Sequence, residues 1–228
     1  MVNMRISDKE WIVLKRVWSI VLFSIFIAML MVEIIFKIPA TNYLRPILYC
    51  LIIVPATFIL IYHFVIKEGI ASYSDFGLTK KHISKNIMIG TALGILSGIF
   101  AFILGKYYFS LNFPMESNLA FAIIARVITA PIWEEFIFRG IIFSSLLWIL
   151  EWNKNWPQEN RILWIGFSYT IIAVIFTLGH YGTSNLLLVY FAGIVDTFAF
   201  HITKSLVTPI ITHSIYNLLQ TLLPAYAS

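Results

Sequence analysis

An all-α, polytopic bundle of transmembrane helices is the fold class this sequence predicts, and three observations predict it. The 228 residues are 60% hydrophobic and only 12% charged, with a mean hydropathy of +0.86, whereas soluble domains carry about 25% charged residues. Apolar runs long enough to cross about 30 Å of hydrocarbon, which takes about 20 helical residues, lie near 16–36, 46–66, 86–109, 119–150, 161–178, 185–202 and 205–223. Lysine and arginine gather between alternate runs, as short cytoplasmic loops require. The count is seven spans, or eight if the long fourth run divides. A multi-pass protein of the cell membrane is therefore expected.

Each element has its own reason. The run beginning near Trp11 is of spanning length and lacks a small-residue cleavage site, so it reads as a retained anchor and not a cleavable signal. With the N terminus inside, the inner segments hold eleven cations, Arg5, Lys9, Lys15, Arg16, Lys67, Lys80, Lys81, Lys85, Lys154, Arg161 and Lys204, against Lys37, Arg45 and Lys106 outside. This bias puts the C terminus outside. Residues 67–85, KEGIASYSDFGLTKKHISK, are expected to form an amphipathic surface segment on the cytoplasmic side. Gly90, Gly94 and Gly98 recur every four residues, a row that lets another helix approach closely, here within the same bundle. Residues 151–161, EWNKNWPQENR, mix tryptophan with charge and Pro157, as a loop at the headgroup boundary does.

The organisation expected is a three-span scaffold over 1–118 followed by a chemistry-bearing bundle over 119–228. The single Cys50 rules out an intramolecular disulfide and reads as packing. Net charge is +5, but no stacking or groove-reading motif accompanies the basic loops, so lipid is the expected partner and nucleic acid is not. No inverted repeat of the transporter kind stands out. Oligomeric state is left open.

Against this apolar background stands PIWEEFIFRG, residues 131–140, with three charges in six residues. Each ionised side chain at mid-bilayer costs about 2.5–3.5 kcal/mol on insertion scales, so such a cluster needs compensation. Glu135 and Arg139 are four apart, on one helix face, with the carboxylate N-terminal to the cation. Glu134 points about 100° away and is left without its own arginine, which makes it a candidate general base. The alternative is that all three merely hold helices together. Downstream, FTLGH ends in His180, and HSIYN places His213 and Asn217 four apart on one helix face. A carboxylate, two imidazoles and a carboxamide could activate water and hold an oxyanion; the Glu/His/His subset could equally bind zinc. Asp196 reads as hydrogen-bonding within the bundle or sitting near the site, the first being preferred, His201 as solvated, Arg126 as buried and in need of a partner, and Glu33 as lying near a helix end. The chain lacks a G-x-S-x-G elbow, an H-E-x-x-H helix, a CxxC framework and a P-loop.

EEFIFR (134–139), FTLGH (176–180) and HSIYN (213–217) match, in order, the EExxxR, FxxxH and HxxxN elements of the CPBP family of intramembrane proteases, also called Abi or CAAX-protease and bacteriocin-processing proteins, and related to type II CAAX prenyl endopeptidases. The sequence resembles that family over about 119–223. The resemblance implies that Glu134 and His180 activate the attacking water, that His213 and Asn217 hold the oxyanion, and that Glu135 and Arg139 support them. It implies an endopeptidase acting on a membrane-embedded or membrane-adjacent peptide, with roles such as bacteriocin self-immunity or peptide processing. Metal-independent chemistry is favoured over zinc, because asparagine is not among the usual zinc ligands. Two other readings are a non-catalytic scaffold for a transporter or sensor and a proton-coupled transporter. Straight helices counted from a membrane boundary place Glu134 about 22 Å from His180, unless 119–150 makes two short spans turning near Arg139 and Gly140.

Overall fold

The computed structural model describes residues 7–31, 37, 44–109, 118–180 and 185–227; Glu33 lies outside them. Among the described residues there are helices and no strands: α1 (Asp8–Met29), α2 (Leu44–Ile66), α3 (Ile83–Tyr108), α4 (119–152), α5 (Gln158–Gly179), α6 (Leu186–Thr203) and α7 (Val207–Ala227). Five of them, α1, α2, α3, α5 and α6, are long and apolar enough to cross a membrane. The other two carry the residues singled out above. Polar groups at His213, Asn217 and Gln220 dilute the apolar character of α7, and α4 holds the charged cluster.

Local chemistry sets the helix ends. Ser7 and Glu10 form a reciprocal cap at the start of α1, with the Ser7 backbone N–H donating to Glu10 Oε2 at 2.7 Å and the Glu10 N–H donating to Ser7 Oγ at 3.3 Å. Asn185 caps α6, accepting from the Leu187 and Leu188 N–H groups at 3.0 and 3.2 Å. Between α2 and α3, residues 67–85 are mostly exposed, with one turn of 3-10 helix at Tyr73–Phe76. Phe76 is buried edge-on against Trp148, and the Gly77 carbonyl accepts from the Leu206 N–H at 3.0 Å. Gly77 has φ 74°, and a Cβ there would lie 2.5 Å from the Phe200 ring. That segment is thus pinned to the bundle around Phe76 and Gly77, with Ile70 and Ala71 also packed on the core and Tyr73 stacked on Phe58.

Helix α4 is the axis of the bundle. It runs without a break from 119 to 152, with π-helical stretches at Ile123–Thr129 and Phe136–Phe143 on either side of the α-helical Ala130–Glu135. The chain does not turn at Arg139 and Gly140, so the division of this run into two spans does not occur. Its residues from 134 to 150 are almost all buried, while α1, α2, α3 and α5 keep large apolar chains such as Leu22, Leu51, Leu96 and Leu163 on the outside. That outward display is what lipid-facing helices require. Arg126, expected to be buried, is exposed.

The α4–α5 hairpin explains how Glu134 meets His180. Both helices grow from the short connection 153–157, Glu134 lying 18 residues before Trp152 and His180 22 residues after Gln158, about 27 and 33 Å along their helices. Contacts climb the pair in register: Trp164 Nε1 donates to the Leu146 carbonyl at 2.9 Å, Phe143 meets Tyr169 at 5.5 Å between ring centres, and Phe138 meets Phe176 at 5.3 Å. The next rung is Glu134 and His180. The expected separation fails because it was measured from a membrane boundary that α4, about 51 Å long, does not respect.

The glycine row packs inside the chain, along α7. A Cβ on Gly90 would sit 2.7 Å from the Thr208 carbonyl, and one on Gly94 would sit 2.7 Å from the Thr212 carbonyl. Backbone meets backbone there, so neither side can yield cheaply. We expect Gly94→Val to lower the stability of the detergent-purified protein by at least about 1–3 kcal/mol, the usual cost of overpacking. Gly166→Ala, on α5 where nothing lies within 4 Å of the added carbon, should be neutral or stabilising by up to about 1 kcal/mol, as thermal melting would show.

Candidate active site

Four helices deliver the polar groups to one buried place. From α4 come Glu134, Glu135 and Arg139, from the end of α5 His180, from α6 Asp196 and from α7 His213. Glu135 and Arg139 are fully buried and joined at 2.7 Å between Oε1 and Nη1, one turn apart as their spacing predicts. The guanidinium spends its other donors on α6: Nη2 on the Gly193 carbonyl at 2.8 Å and Nε on Thr197 Oγ1 at 3.4 Å. The Thr197 hydroxyl in turn donates to the Gly193 carbonyl at 2.7 Å. Arg139 also lies over the face of Phe176, 4.7 Å from the ring centre, an arrangement that attracts a cation to the ring.

Glu135 Oε1 has a second donor. His213 Nδ1 lies 2.8 Å from it, and since a carboxylate accepts, Nδ1 carries the proton. Nε2 of His213 is then turned toward Glu134 Oε2, 3.9 Å away. His180 is held in the same sense: its Nδ1 donates to the Phe176 carbonyl at 2.8 Å, leaving Nε2 3.8 Å from the same Glu134 oxygen. Phe176 packs against both imidazoles, at 4.5 Å from His180 and 5.8 Å from His213. Glu134 is buried, and its Oε2 has no hydrogen-bond partner among the described residues. Two imidazole nitrogens thus flank one carboxylate oxygen at distances too long for direct hydrogen bonds. The His180 side chain, 30% exposed, stands at the mouth of the site.

Asn217 shares the His213 face of α7, and its Nδ2 donates to the Arg126 carbonyl at 2.8 Å. One of its two amide hydrogens is therefore engaged with the first π-helical stretch of α4.

Residues 116–219, which contain every one of these groups, match the family model described as Type II CAAX prenyl endopeptidase Rce1-like. The chain is also 25% identical over 226 residues to the "Membrane-embedded CAAX protease MroQ" of Staphylococcus aureus (strain USA300), an alignment covering 89% of this chain and 87% of that protein. Both similarities support a member of the CPBP/CAAX protease family. The chain is a multi-pass membrane protein. No solved structure matches it.

The structure adds one residue to this site. For Asp196 it favours the second of the two expected placements, near the site: its Oδ2 lies 3.7 Å from His213 Nδ1 and 3.9 Å from Arg139 Nη2, with no hydrogen-bond partner among the described residues. The signal lay in Gly193, Asp196 and Thr197, which fall on one face of α6 at helical spacing. His201, expected to be solvated, is partly buried with Nδ1 3.0 Å from the Tyr169 hydroxyl. Glu135, Asp196 and His213 also offer one ligand atom each within 4.8 Å of one another, a spacing compatible with a metal ion. The donor types suit zinc, although the guanidinium of Arg139 already matches the charge of Glu135 at 2.7 Å. No cofactor is established for this site.

Removing Arg139 should leave Glu135 buried without its cation. We expect Arg139→Met to cost about 3–5 kcal/mol, and the double variant Glu135→Gln/Arg139→Met to recover part of that loss in a denaturation series in detergent. Arg139→Lys should also be deficient, because one ammonium does not reproduce the planar fork that spans Glu135, Gly193 and Thr197.

Proposed function

We propose that this chain is an intramembrane endopeptidase that hydrolyses a peptide bond of a membrane-embedded or membrane-adjacent substrate, with Glu134 as general base. One observation carries the proposal: a buried carboxylate oxygen with no hydrogen-bond partner, flanked by His180 Nε2 at 3.8 Å and His213 Nε2 at 3.9 Å. The family match and the relative named as a protease support it.

The steps follow from the hydrogen positions. With Nδ1–H given to the Phe176 carbonyl, His180 Nε2 presents a lone pair, so it accepts from a water and orients it without competing for its other proton. That proton passes to Glu134, and the oxygen attacks the amide carbon. The oxyanion is assigned to His213 Nε2–H and the second amide hydrogen of Asn217. Collapse of the tetrahedral intermediate breaks the C–N bond as Glu134 returns its proton to the leaving nitrogen. Glu135 fixes the His213 ring through Nδ1, and Arg139 fixes Glu135. No step here is routed through a metal. Processing of small secreted or membrane-bound peptides, including bacteriocin self-immunity, is the setting we propose.

The test compares peptides from the membrane and medium of cells carrying the wild-type chain or Glu134→Gln. An uncut precursor should accumulate with the variant, and a quenched-fluorescence peptide spanning its cut site should be cleaved by purified wild type and at least about 10³-fold more slowly by Glu134→Gln or His180→Ala. Unimpaired cleavage by a folded Glu134→Gln protein would overturn the assignment of Glu134 as the base, and absence of cleavage by wild type would leave a scaffold or a transporter.

A further inference from the structure

We propose that Asp196 is a positioning residue of this site: it is the countercharge reserved for His213 while that ring holds the oxyanion. The inference rests on the peptidase reading above and deepens it. It starts from an anomaly of energetics. Asp196 is 2% exposed, and its Oδ2 has no hydrogen-bond partner among the described residues. An unsatisfied buried polar group costs about 1–3 kcal/mol, more when charged, and a leucine in this helix would carry no such cost.

Seating Arg139 does not account for it. Glu135, the Gly193 carbonyl and Thr197 already supply hydrogen bonds to that guanidinium, and Asp196 stands back at 3.9 Å. What remains within reach is His213, whose Nδ1 lies 3.7 Å from Asp196 Oδ2. Two carboxylates therefore face one ring nitrogen, and they are not equivalent. Glu135 gives a single oxygen to both His213 and Arg139, so its charge is matched by the guanidinium at 2.7 Å. The charge of Asp196 is the one left over.

That surplus has a use at one moment of the reaction. To donate to the oxyanion from Nε2 while Nδ1–H stays on Glu135, His213 takes up a second proton from solvent before the water attacks and so carries a positive charge. The carboxylate facing that charge is Asp196. The titratable groups that face the ring are Glu134 and Glu135 from α4 and Asp196 from α6, with Arg139 behind Glu135 and His180 beyond Glu134. Among them only Asp196 is an acid with neither a cation in hydrogen-bond contact nor the base's role. Because the charged ring is required when the oxyanion forms and not for holding the substrate, the interaction acts on turnover and not on substrate binding.

The experiment uses full-length wild type, Asp196→Asn, Asp196→Leu and Asp196→Glu in detergent, with the quenched-fluorescence peptide defined above. We expect kcat to fall at least about tenfold in the Asn and Leu variants, without exceeding the loss in His213→Ala, while KM stays within about twofold. The Glu variant should recover part of the rate. Thermal melting should place the Asn and Leu variants at or above wild type, because the unmatched buried charge is removed. A purely structural aspartate would show the reverse, lower melting temperatures with kcat unchanged, and that result overturns the proposal; so does a loss confined to KM. A wild type that fails to cleave while the Asp196 variants melt normally strikes the peptidase reading first and this one with it.

Discussion

A carboxylate and a guanidinium, buried together on one turn of α4, set the terms for everything around them. Neither Glu135 nor Arg139 has any exposed side-chain surface, and in a bundle of this hydropathy neither could be there alone. Glu135 requires a cation, and Arg139 requires acceptors for the donors that Glu135 does not use. Those acceptors come from Gly193 and Thr197, so α6 must lie against α4 at that level. The same Glu135 oxygen takes His213 Nδ1, which brings in α7. Phe176 beneath the guanidinium brings in α5 and, through its carbonyl, His180. One ion pair thus fixes the approach of three helices, and Glu134, next to it in sequence, is delivered to the place where the two imidazoles meet.

Much of this could be read before any coordinates. The spacing of four between Glu135 and Arg139 and between His213 and Asn217 is a statement about helix faces, and faces survive folding. So did the number and order of the helices, since apolar runs bounded by charge are a strong signal, and so did the internal use of the glycine row. Depth proved harder to read. Placing Glu134 relative to His180 from a membrane boundary assumed that α4 matches the bilayer, yet the helix is far longer and its register with α5 is set by the hairpin connection and by aromatic rungs such as Phe138 on Phe176. Pairwise packing, which no single-chain hydropathy plot contains, decided the level.

Asp196 and Arg126 show the other limit. Each is an ionisable residue in an apolar run, and by composition they look alike. One is buried beside Arg139 and His213 and the other is exposed. The difference lies in which direction each helix turns, and that depends on neighbours: α6 turns its Gly193, Asp196, Thr197 face toward α4 because Arg139 demands it, whereas Arg126 lies on a stretch of α4 whose winding is not that of an ordinary helix. Angular position cannot be extrapolated through such a stretch from the 100° step that served for Glu134 and Glu135.

The two π-helical stretches of α4 supply the remaining piece of the design. A π-helical turn bonds its backbone over five residues instead of four, which widens the helix and disturbs the carbonyl ladder. Side chains take up the carbonyls involved: Asn217 Nδ2 donates to Arg126, in the first stretch, and Ser144 Oγ donates to Arg139, in the second. Between them the α-helical Ala130–Glu135 ends on the two glutamates. The wider turns therefore bracket the two glutamates, one joined to α7 by a bond from Asn217 and the other carrying Arg139 to α6. In this light the asparagine four residues after His213 has a structural duty that helix spacing alone does not reveal: it ties the His213 face of α7 to the turn of α4 before Glu134. A residue proposed to hold an oxyanion is then also one that sets the distance across which the oxyanion must be held, so its two amide hydrogens act on opposite sides of the same constraint.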